Sequence, residues 1–124
     1  MEKSRKVLVV DDDTEMLDYA AMLVKRMVPE SKVETASDGR EGWRKLKEFH
    51  PDLLIIDLKL PEIYGFDICA KIRLDPNFKD LKVMVMSSYG QPRIAKMAMD
   101  SGANEFLLKP FQSDDFIKKV GGLL

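Results

Sequence analysis

Short apolar runs, separated by longer stretches with a helical repeat, constrain this chain more than any other feature. The clearest runs are VLVV at 7–10 and LLII at 53–56, and neither contains a polar residue. A strand with one face in solvent alternates apolar and polar side chains, whereas an unbroken apolar run is typical of a strand covered on both faces. Such strands occur mainly in parallel sheets that carry helices on both sides. The pattern therefore predicts an α/β domain.

Strands and helices are predicted to alternate along the whole chain. The predicted strands are Lys6–Val10, Lys32–Ala36, Leu53–Ile56, Val83–Met86 and Phe106–Leu108. The predicted helices are Thr14–Val28, a helix that follows a turn at Asp38-Gly39 and reaches about Phe49, Phe66–Leu74, Pro92–Ser101 and Ser113–Leu124. This alternation indicates a three-layer, flavodoxin-like (βα)5 fold of the α/β class, with a parallel five-stranded sheet in the order 2-1-3-4-5. The length of 124 residues fits a single domain, 1–124.

Local signals refine the helix ends and the helix faces. Asp13 or Thr14 is expected to cap the first helix, and Gly102 is expected to terminate the fourth. The residues expected to face the core from the last two helices are Ile94, Met97, Ala98, Phe116, Ile117 and Val120. Gly121 and Gly122 weaken the last helix by roughly 1 kcal/mol each relative to alanine. Either that helix ends at the glycines or the chain is a fragment of a longer protein, and we expect no DNA-binding or catalytic output domain within it.

Composition and charge exclude several classes of protein. A net charge of −1 gives no indication of binding to nucleic acid or to an anionic membrane. No apolar run approaches the roughly 20 residues of a membrane helix, and the apolar stretch near the N-terminus is too short for a secretory signal. The single Cys69 excludes an internal disulfide and favours a reducing compartment. We therefore expect a cytoplasmic protein in which this cysteine packs in the core.

Polar residues that can take part in a reaction or bind a metal follow four of the five predicted strands. In chain order these residues are Asp11, Asp12, Asp13, Asp57, Ser87, Ser88, Lys109 and Pro110. In an open parallel sheet, ligands bind outside the carboxyl ends of the strands, where the strand order reverses. In the predicted order the first and third strands are neighbours at that point. The sequence therefore predicts one site that combines the tips of the first, third, fourth and fifth strands.

The residues of this predicted site match the needs of phosphoryl transfer. Carboxylates from Asp11, Asp12 and Asp57 cannot share a small space without raising one another's pKa values or recruiting a cation. Oxygen ligands of this kind suit Mg²⁺. Lys109 supplies a positive charge and Ser87 a hydroxyl group. Asp57 is central, so it can act as a nucleophile and form an aspartyl phosphate. Asp13 is better explained as a helix cap.

The whole chain resembles a response-regulator receiver domain of bacterial two-component signalling. The resemblance rests on VLVVDDD, PDLLIIDLKLPEIYGFD, VMVMSS and GANEFLLKPF, which occur in the family's order and at its separations. It implies that Asp57 is the phosphoacceptor, and that Asp11, Asp12, Asp57 and the backbone carbonyl of Lys59 bind Mg²⁺. It further implies that Ser87 is the switch hydroxyl, that Lys109 contacts the phosphate, and that Pro110 follows a cis peptide bond. The residues expected to modulate the reaction are Lys59, Ser88, Tyr89, Phe106 and Pro110.

The resemblance also implies a mechanism and a set of partners. A sensor histidine kinase or a histidine phosphotransfer protein donates the phosphoryl group, and the chain catalyses only its own phosphorylation and dephosphorylation, so it is not classed as an enzyme. Ser87 then moves toward the phosphate, and the face built from the fourth helix, fifth strand and fifth helix repacks. Output passes to a downstream protein partner or to an output domain outside this chain, with a phosphorylation-dependent homodimer as a further possibility. Many relatives carry Tyr or Thr at the position of Phe106. The phenyl ring of Phe106 lacks the hydroxyl group of those residues.

Three other interpretations of the sequence remain open. One is an Asp-nucleophile phosphohydrolase of the haloacid-dehalogenase kind with Asp11 as nucleophile, although Glu15 stands where Thr or Val is wanted. Another is a degenerate receiver that only binds partners. The third is a flavin-binding domain of the same architecture, which would require a phosphate-binding loop rich in Ser and Thr after the first strand. Steady phosphatase turnover would favour the first of these, and stoichiometric labelling at Asp57 would favour the receiver.

Overall fold

The computed structural model describes residues 5–58 and 65–124, and in this part of the chain strands and helices alternate. The strands are β1 (Lys6–Val10), β2 (Lys32–Ala36), β3 (Leu53–Asp57), β4 (Lys82–Ser87) and β5 (Glu105–Leu108). The helices are α1 (Thr14–Met27), α2 (Gly39–Phe49), α3 (Gly65–Leu74), α4 (Pro92–Asp100) and α5 (Ser113–Leu123), with a short 3₁₀ helix at Pro76–Phe78. The strands pair in parallel in the order β2-β1-β3-β4-β5. The predicted α/β, flavodoxin-like fold is confirmed.

The sheet is covered on both faces because successive side chains of its central strands point in opposite directions. Leu8 and Val10 of β1 belong to a buried cluster with apolar residues of α2, α3 and α4. Val7 and Val9 belong to a second cluster, with residues of α1 and α5. Burying one such side chain contributes roughly 1.5–3 kcal/mol, so the two apolar layers hold the strand tips in fixed positions.

Two helix-end predictions are confirmed in detail. Asp13 is the N-cap of α1, and its side chain accepts hydrogen bonds from the backbone N–H groups of Glu15 (3.0 Å) and Met16 (3.3 Å). Gly102 lies just beyond α4 with a φ of 111°, a conformation that side chains other than glycine rarely adopt. Cys69 is fully buried in the core, as expected. Among the described helices, none is long and apolar enough to cross a membrane.

Several predicted boundaries were wrong by one or two residues. Helix α1 ends at Met27 and α4 at Asp100, each one residue earlier than predicted. Helix α3 begins at Gly65 rather than Phe66, and α5 ends at Leu123, one residue before the predicted end. Helix α5 thus continues through both glycines, and the alternative that it ends at them was wrong. Strand β4 is longer than predicted at both ends, and β5 gains Glu105. Because these positions are fixed by backbone pairing across the sheet and by packing, apolar patterns alone misplace them.

The predicted inward faces of α4 and α5 were wrong at one position each. Met97 is 48% exposed and Ile117 is 38% exposed, whereas Ala98 and Phe116 are fully buried. Adjacent residues on a helix are separated by about 100°, so a narrow contact with the sheet buries one of each pair and turns the other outward.

Candidate functional site

The carboxyl ends of β1 and β3 lie side by side at the centre of the sheet and bring three aspartates together. Asp57 is the last residue of β3 rather than the first residue after it, and it pairs in register with Met86 of β4. Asp11 follows β1 directly, and its backbone N–H donates to the carbonyl of Ala36 (3.1 Å). The sheet therefore fixes the backbones of Asp11 and Asp57 on adjacent strands.

Asp11, Asp12 and Asp57 form the acidic cluster that the sequence predicts. One carboxylate oxygen from each residue lies within 4.8 Å of those of the other two. Asp11 is fully buried and Asp57 is 8% exposed, while Asp12 is exposed at the rim. The cluster therefore has two fixed carboxylates at its floor and a third that faces solvent.

Lys109, the residue after β5, reaches the acidic cluster and bridges the two buried carboxylates. Its Nζ lies 2.5 Å from Oδ2 of Asp11 and 3.1 Å from Oδ1 of Asp57. Burial acts to lower the pKa of Lys109, but the hydrogen bond to Asp11 and the negative charges of Asp57 and Asp11 outweigh it and raise the pKa above its usual value. The other carboxylate oxygen of Asp11 accepts from the backbone N–H of Asp13 (3.0 Å). Both oxygens of Asp11 are thus engaged within the protein.

The carboxyl of Asp57 is held in an unfavourable setting for a negative charge. Burial raises its pKa from 3.8 to about 6, although the charge of Lys109 opposes this effect. The charges of Asp11 and Asp12 add smaller upward contributions. The sequence predicted that mutual repulsion would raise the pKa, so the direction was right, but burial is the larger cause. A group in this condition favours uptake of a proton or a nearby cation.

Ser87 is the last residue of β4 and lies buried beside β5. Its side-chain Oγ accepts a hydrogen bond from the backbone N–H of Tyr89 (2.9 Å). Its carbonyl accepts from the backbone N–H of Lys109 (2.7 Å), and Lys109 is joined to Pro110 by a cis peptide bond, as the resemblance implied. Ser87 therefore helps to place the backbone of Lys109 at the site, and its hydroxyl proton has no acceptor within 5–58 and 65–124.

The residues predicted to modulate the reaction lie in different surroundings. Ser88 and Tyr89 are exposed after β4, with Tyr89 at 42%. Phe106 is partly buried against the cluster under α2, α3 and α4. Lys59, predicted as a modulator and as a metal ligand through its carbonyl, lies outside the described residues.

Two positioning groups were not singled out from the sequence. They are the backbone N–H groups of Asp13 and Tyr89, which orient the side chains of Asp11 and Ser87. A short Asp or Ser side chain often binds the backbone N–H two residues later. That spacing was the available signal, but it is too common in loops to identify a site by itself.

The donor set of the cluster fits a magnesium ion. Mg²⁺ prefers oxygen ligands, usually takes one or two carboxylates and keeps several of its waters. Buried carboxylates from Asp11 and Asp57 supply the protein side, and the exposed Asp12 leaves the rim open to a hydrated ion. The raised pKa of Asp57 reflects the same burial and crowding of negative charge that a bound cation would relieve.

Comparisons with known proteins agree with this site. The sequence profile described as "Response regulator receiver domain" matches residues 7–121. Chemotaxis protein CheY of Thermotoga maritima is 36% identical to the chain over 120 residues, which cover 94% of each protein. The chemotaxis response regulator CheY4 of Vibrio cholerae has a structure with a TM-score of 0.89 at 26% identity, covering 98% of this chain and 100% of that one.

Other relatives are much longer than this chain. The DNA-binding dual master transcriptional regulator RpaA of Synechocystis is 31% identical over 119 residues, which cover 96% of this chain but 48% of the regulator. Protein RcaC of Microchaete diplosiphon is 30% identical over 119 residues and only 18% of its length is covered. The chain thus spans about half or less of these two curated relatives. The profile match over most of the chain, together with the shared fold, shows that the chain belongs to the response regulator receiver domain family of two-component systems.

Proposed function

We propose that this chain accepts a phosphoryl group on Asp57 from a phosphohistidine and uses the modified aspartate to change how it binds partners. The observation that carries the proposal is the meeting of three carboxylates with Lys109 at the carboxyl edge of the sheet. The donor would be a sensor histidine kinase or a histidine phosphotransfer protein. The chain would catalyse only its own phosphorylation and dephosphorylation, in the cytoplasm, and so would not act as an enzyme on other substrates.

Asp57 is the best candidate for the nucleophile among the three aspartates. Both oxygens of Asp11 already accept hydrogen bonds, one from Lys109 and one from the backbone of Asp13. Of the oxygens of Asp57, only Oδ1 contacts Lys109. In the transfer, an oxygen of Asp57 attacks phosphorus, the P–N bond to the donor imidazole breaks, and the imidazole leaves with that electron pair. The same comparison disfavours a phosphohydrolase with Asp11 as nucleophile.

Charge compensation is the main contribution of the surrounding residues. An acyl phosphate adds roughly −1.5 to −2 charges to a cluster that is already acidic. Lys109 is held where its ammonium group can shift from Asp11 toward the new phosphoryl oxygens. When bound by Asp11, Asp12 and Asp57, Mg²⁺ supplies the remaining neutralisation of the transferred group. Ser87 is placed to donate its hydroxyl proton to a phosphoryl oxygen after a small movement.

The face formed by α4, β5 and α5 is the proposed output surface. Four large apolar side chains on these elements are partly in solvent: Met97 (48%), Met99 (45%), Leu108 (44%) and Ile117 (38%). An ion pair between Lys119 and Glu105 (2.9 Å) joins α5 to β5 across this face. The proposed partner is a downstream protein or an output domain outside residues 1–124, and self-association after phosphorylation is a further possibility. A direct interaction with nucleic acid or membrane is not part of the proposal.

Labelling with a small phosphodonor tests the proposed chemistry. The protein is incubated with acetyl phosphate and MgCl₂, and intact-mass spectrometry measures the fraction that gains one phosphoryl group. We expect labelling of the parent, no labelling of Asp57→Ala, and strongly reduced labelling of Asp12→Ala. Asp13→Ala is the matched control, because it removes a neighbouring carboxylate that caps α1 and lies outside the cluster. Equal labelling of Asp57→Ala, or continuous release of phosphate that depends on Asp11, would overturn the proposal.

A further inference from the structure

A second surface with unusual chemistry lies on α2 and α3, away from the strand tips that form the site. Its centre is Trp43 of α2, the only tryptophan of the chain. The Nζ of Lys47 lies 5.7 Å from the ring centroid, and the Nζ of Lys71 of α3 lies 5.4 Å from it. Two ammonium groups from different helices therefore converge on one aromatic ring. We call this set of residues, Trp43, Lys47 and Lys71, the tryptophan face.

The two lysines of the tryptophan face have no carboxylate partner among the described residues. The acidic residues of α2 are already engaged, since Glu41 pairs with Lys45 (3.3 Å) and Glu48 with Arg44 (3.0 Å). Lys71 makes no ion pair with Asp67, which lies one turn earlier on the same helix, and its ammonium group lies near the tryptophan instead. An exposed cation–π contact contributes only about 0.5–1 kcal/mol, so these two charges are weakly compensated.

The side chain of Trp43 packs against the core on one side and is partly exposed to solvent on the other. Its ring packs edge-on against Phe78, with centroids 6.1 Å apart, and Phe78 is only 5% exposed. Trp43 itself contacts the buried cluster under α2, α3 and α4 but is not fully covered. Leu74, one turn after Lys71 on α3, is 85% exposed, the highest value among the large apolar side chains described. A partly exposed aromatic ring is thus bordered by two positive charges, and the exposed Leu74 lies on the same helix as Lys71.

We propose that the tryptophan face binds an acidic segment of a partner protein, with its carboxylates on Lys47 and Lys71 and an apolar side chain over Trp43. Charge complementarity identifies the occupant: the face offers two cations that have no carboxylate partner among the described residues. Tryptophan is enriched at protein interfaces, where polar side chains form the rim around an aromatic anchor. A long nucleic acid fits less well, because the protein carries a net charge of −1 and holds the acidic cluster at the carboxyl edge of its sheet. A short peptide can contact the tryptophan face without approaching the acidic cluster.

The fluorescence of Trp43 reports directly on occupation of the face. The probe is a synthetic peptide with leucine flanked by glutamates at helical spacing, and a peptide with lysines in place of the glutamates is the control ligand. We expect a saturable change in the emission with the acidic peptide only, weakened at high salt. The double variant Lys47→Gln/Lys71→Gln is expected to bind about tenfold or more weakly, because both charge contacts are lost. Circular dichroism checks that each variant is folded.

Controls separate a specific face from general attraction between opposite charges. The variant Lys79→Gln/Lys118→Gln removes the same charge from exposed lysines elsewhere and should bind like the parent. Asp57→Ala should also bind like the parent, which separates this inference from the proposed phosphorylation. No saturable emission change, equal weakening by the two lysine double variants, or tighter binding of a single-stranded oligonucleotide of equal charge would each overturn the inference.

Discussion

Asp57 sits where two electrostatic effects oppose each other. Burial raises its pKa to about 6, while Lys109, 3.1 Å away, works against that rise. Lys109 does not cancel the effect because it also serves Asp11, which it approaches more closely. Among the described residues, one ammonium group thus balances two buried carboxylates and leaves part of their negative charge uncompensated. The site is therefore less stable than it would be with a cation present.

This balance predicts that Asp57→Asn stabilises the folded protein at neutral pH when divalent ions are absent. The folded pKa of about 6 exceeds the ordinary 3.8, so this group makes stability fall as the pH rises between those values. The difference corresponds to at most about 3 kcal/mol, and solvent at the rim reduces our expectation to about 1–2 kcal/mol. Urea unfolding with EDTA measures it at two pH values. Asp57→Asn should have a higher free energy of unfolding than the parent at pH about 7.5 and the same value near pH 3.5. An equal difference between the two proteins at both pH values would contradict this account.

At the scale of elements, one arginine connects three parts of the fold. Arg73 of α3 donates to the carbonyl of Gly102 beyond α4 (2.9 Å), to the carbonyl of Leu81 before β4 (3.0 Å), and to Oδ1 of Asn104 before β5 (3.0 Å). The same Asn104 oxygen accepts from the backbone N–H of Val83 (2.9 Å). Arg73 therefore holds the C-terminal end of α4 against α3 and the start of β4.

Replacement of Arg73 should lower the stability of the fold more than replacement of most half-buried side chains would. Arg73→Met keeps the apolar stem but removes the donor to the carbonyls of Gly102 and Leu81, while Oδ1 of Asn104 keeps its bond from Val83. We expect a loss of about 1–3 kcal/mol in the free energy of unfolding. Arg73→Lys restores one donor and the charge but not the planar fork, so it should recover only part of that loss. Chemical denaturation measures both variants. Full recovery by lysine would mean that the charge alone matters.

Two glycines near the ends of α4 and α5 should respond in opposite ways to alanine. A Cβ on Gly122 would meet nothing within 4 Å, so Gly122→Ala should stabilise the protein by about 0.5–1 kcal/mol by favouring the helix. Gly102 has a φ of 111°, and a Cβ there would also meet the side chain of Arg73. Gly102→Ala should therefore destabilise by about 1–3 kcal/mol. Thermal unfolding compares the two, and a stable Gly102→Ala variant would contradict the role given to this turn.

Much of the element order could be predicted from the sequence, because apolar runs and helical repeats are local signals. The faces of short helices could not: nothing in the order of Met97 and Ala98 says which one the sheet covers. The Arg73 contacts were missed for a related reason. Two of its acceptors are backbone carbonyls, and these look the same at every position of a sequence.

For the whole molecule, the site depends on contacts between residues far apart in the chain. Lys109 and Asp11 are 98 positions apart and meet only because β5 and β1 belong to one sheet. The sequence placed both residues at strand ends, so their meeting could be predicted once the strand order was assumed. That Lys109 lies closer to Asp11 than to Asp57 could not, because it depends on differences of less than 1 Å between packed elements.

Because the cluster joins tips of the central strands, metal binding should stabilise the entire fold. A ligand that binds only the folded state at ten times its dissociation constant adds about 1.4 kcal/mol. We expect the unfolding midpoint of the parent to rise with MgCl₂, and the rise to be largely lost in Asp12→Ala. Asp13→Ala, which removes a carboxylate outside the cluster, should retain it. An equal rise for all three proteins would indicate a general salt effect instead.

The most direct test of the central claim is a crystal structure of the protein grown with MgCl₂ and beryllofluoride. The account predicts an ion about 2.0–2.1 Å from carboxylate oxygens of the acidic cluster, with beryllofluoride on Asp57. It further predicts that Nζ of Lys109 moves from Asp11 toward a fluorine atom. Clear density without an ion between Asp12 and Asp57, and with Lys109 unchanged on Asp11, would contradict it.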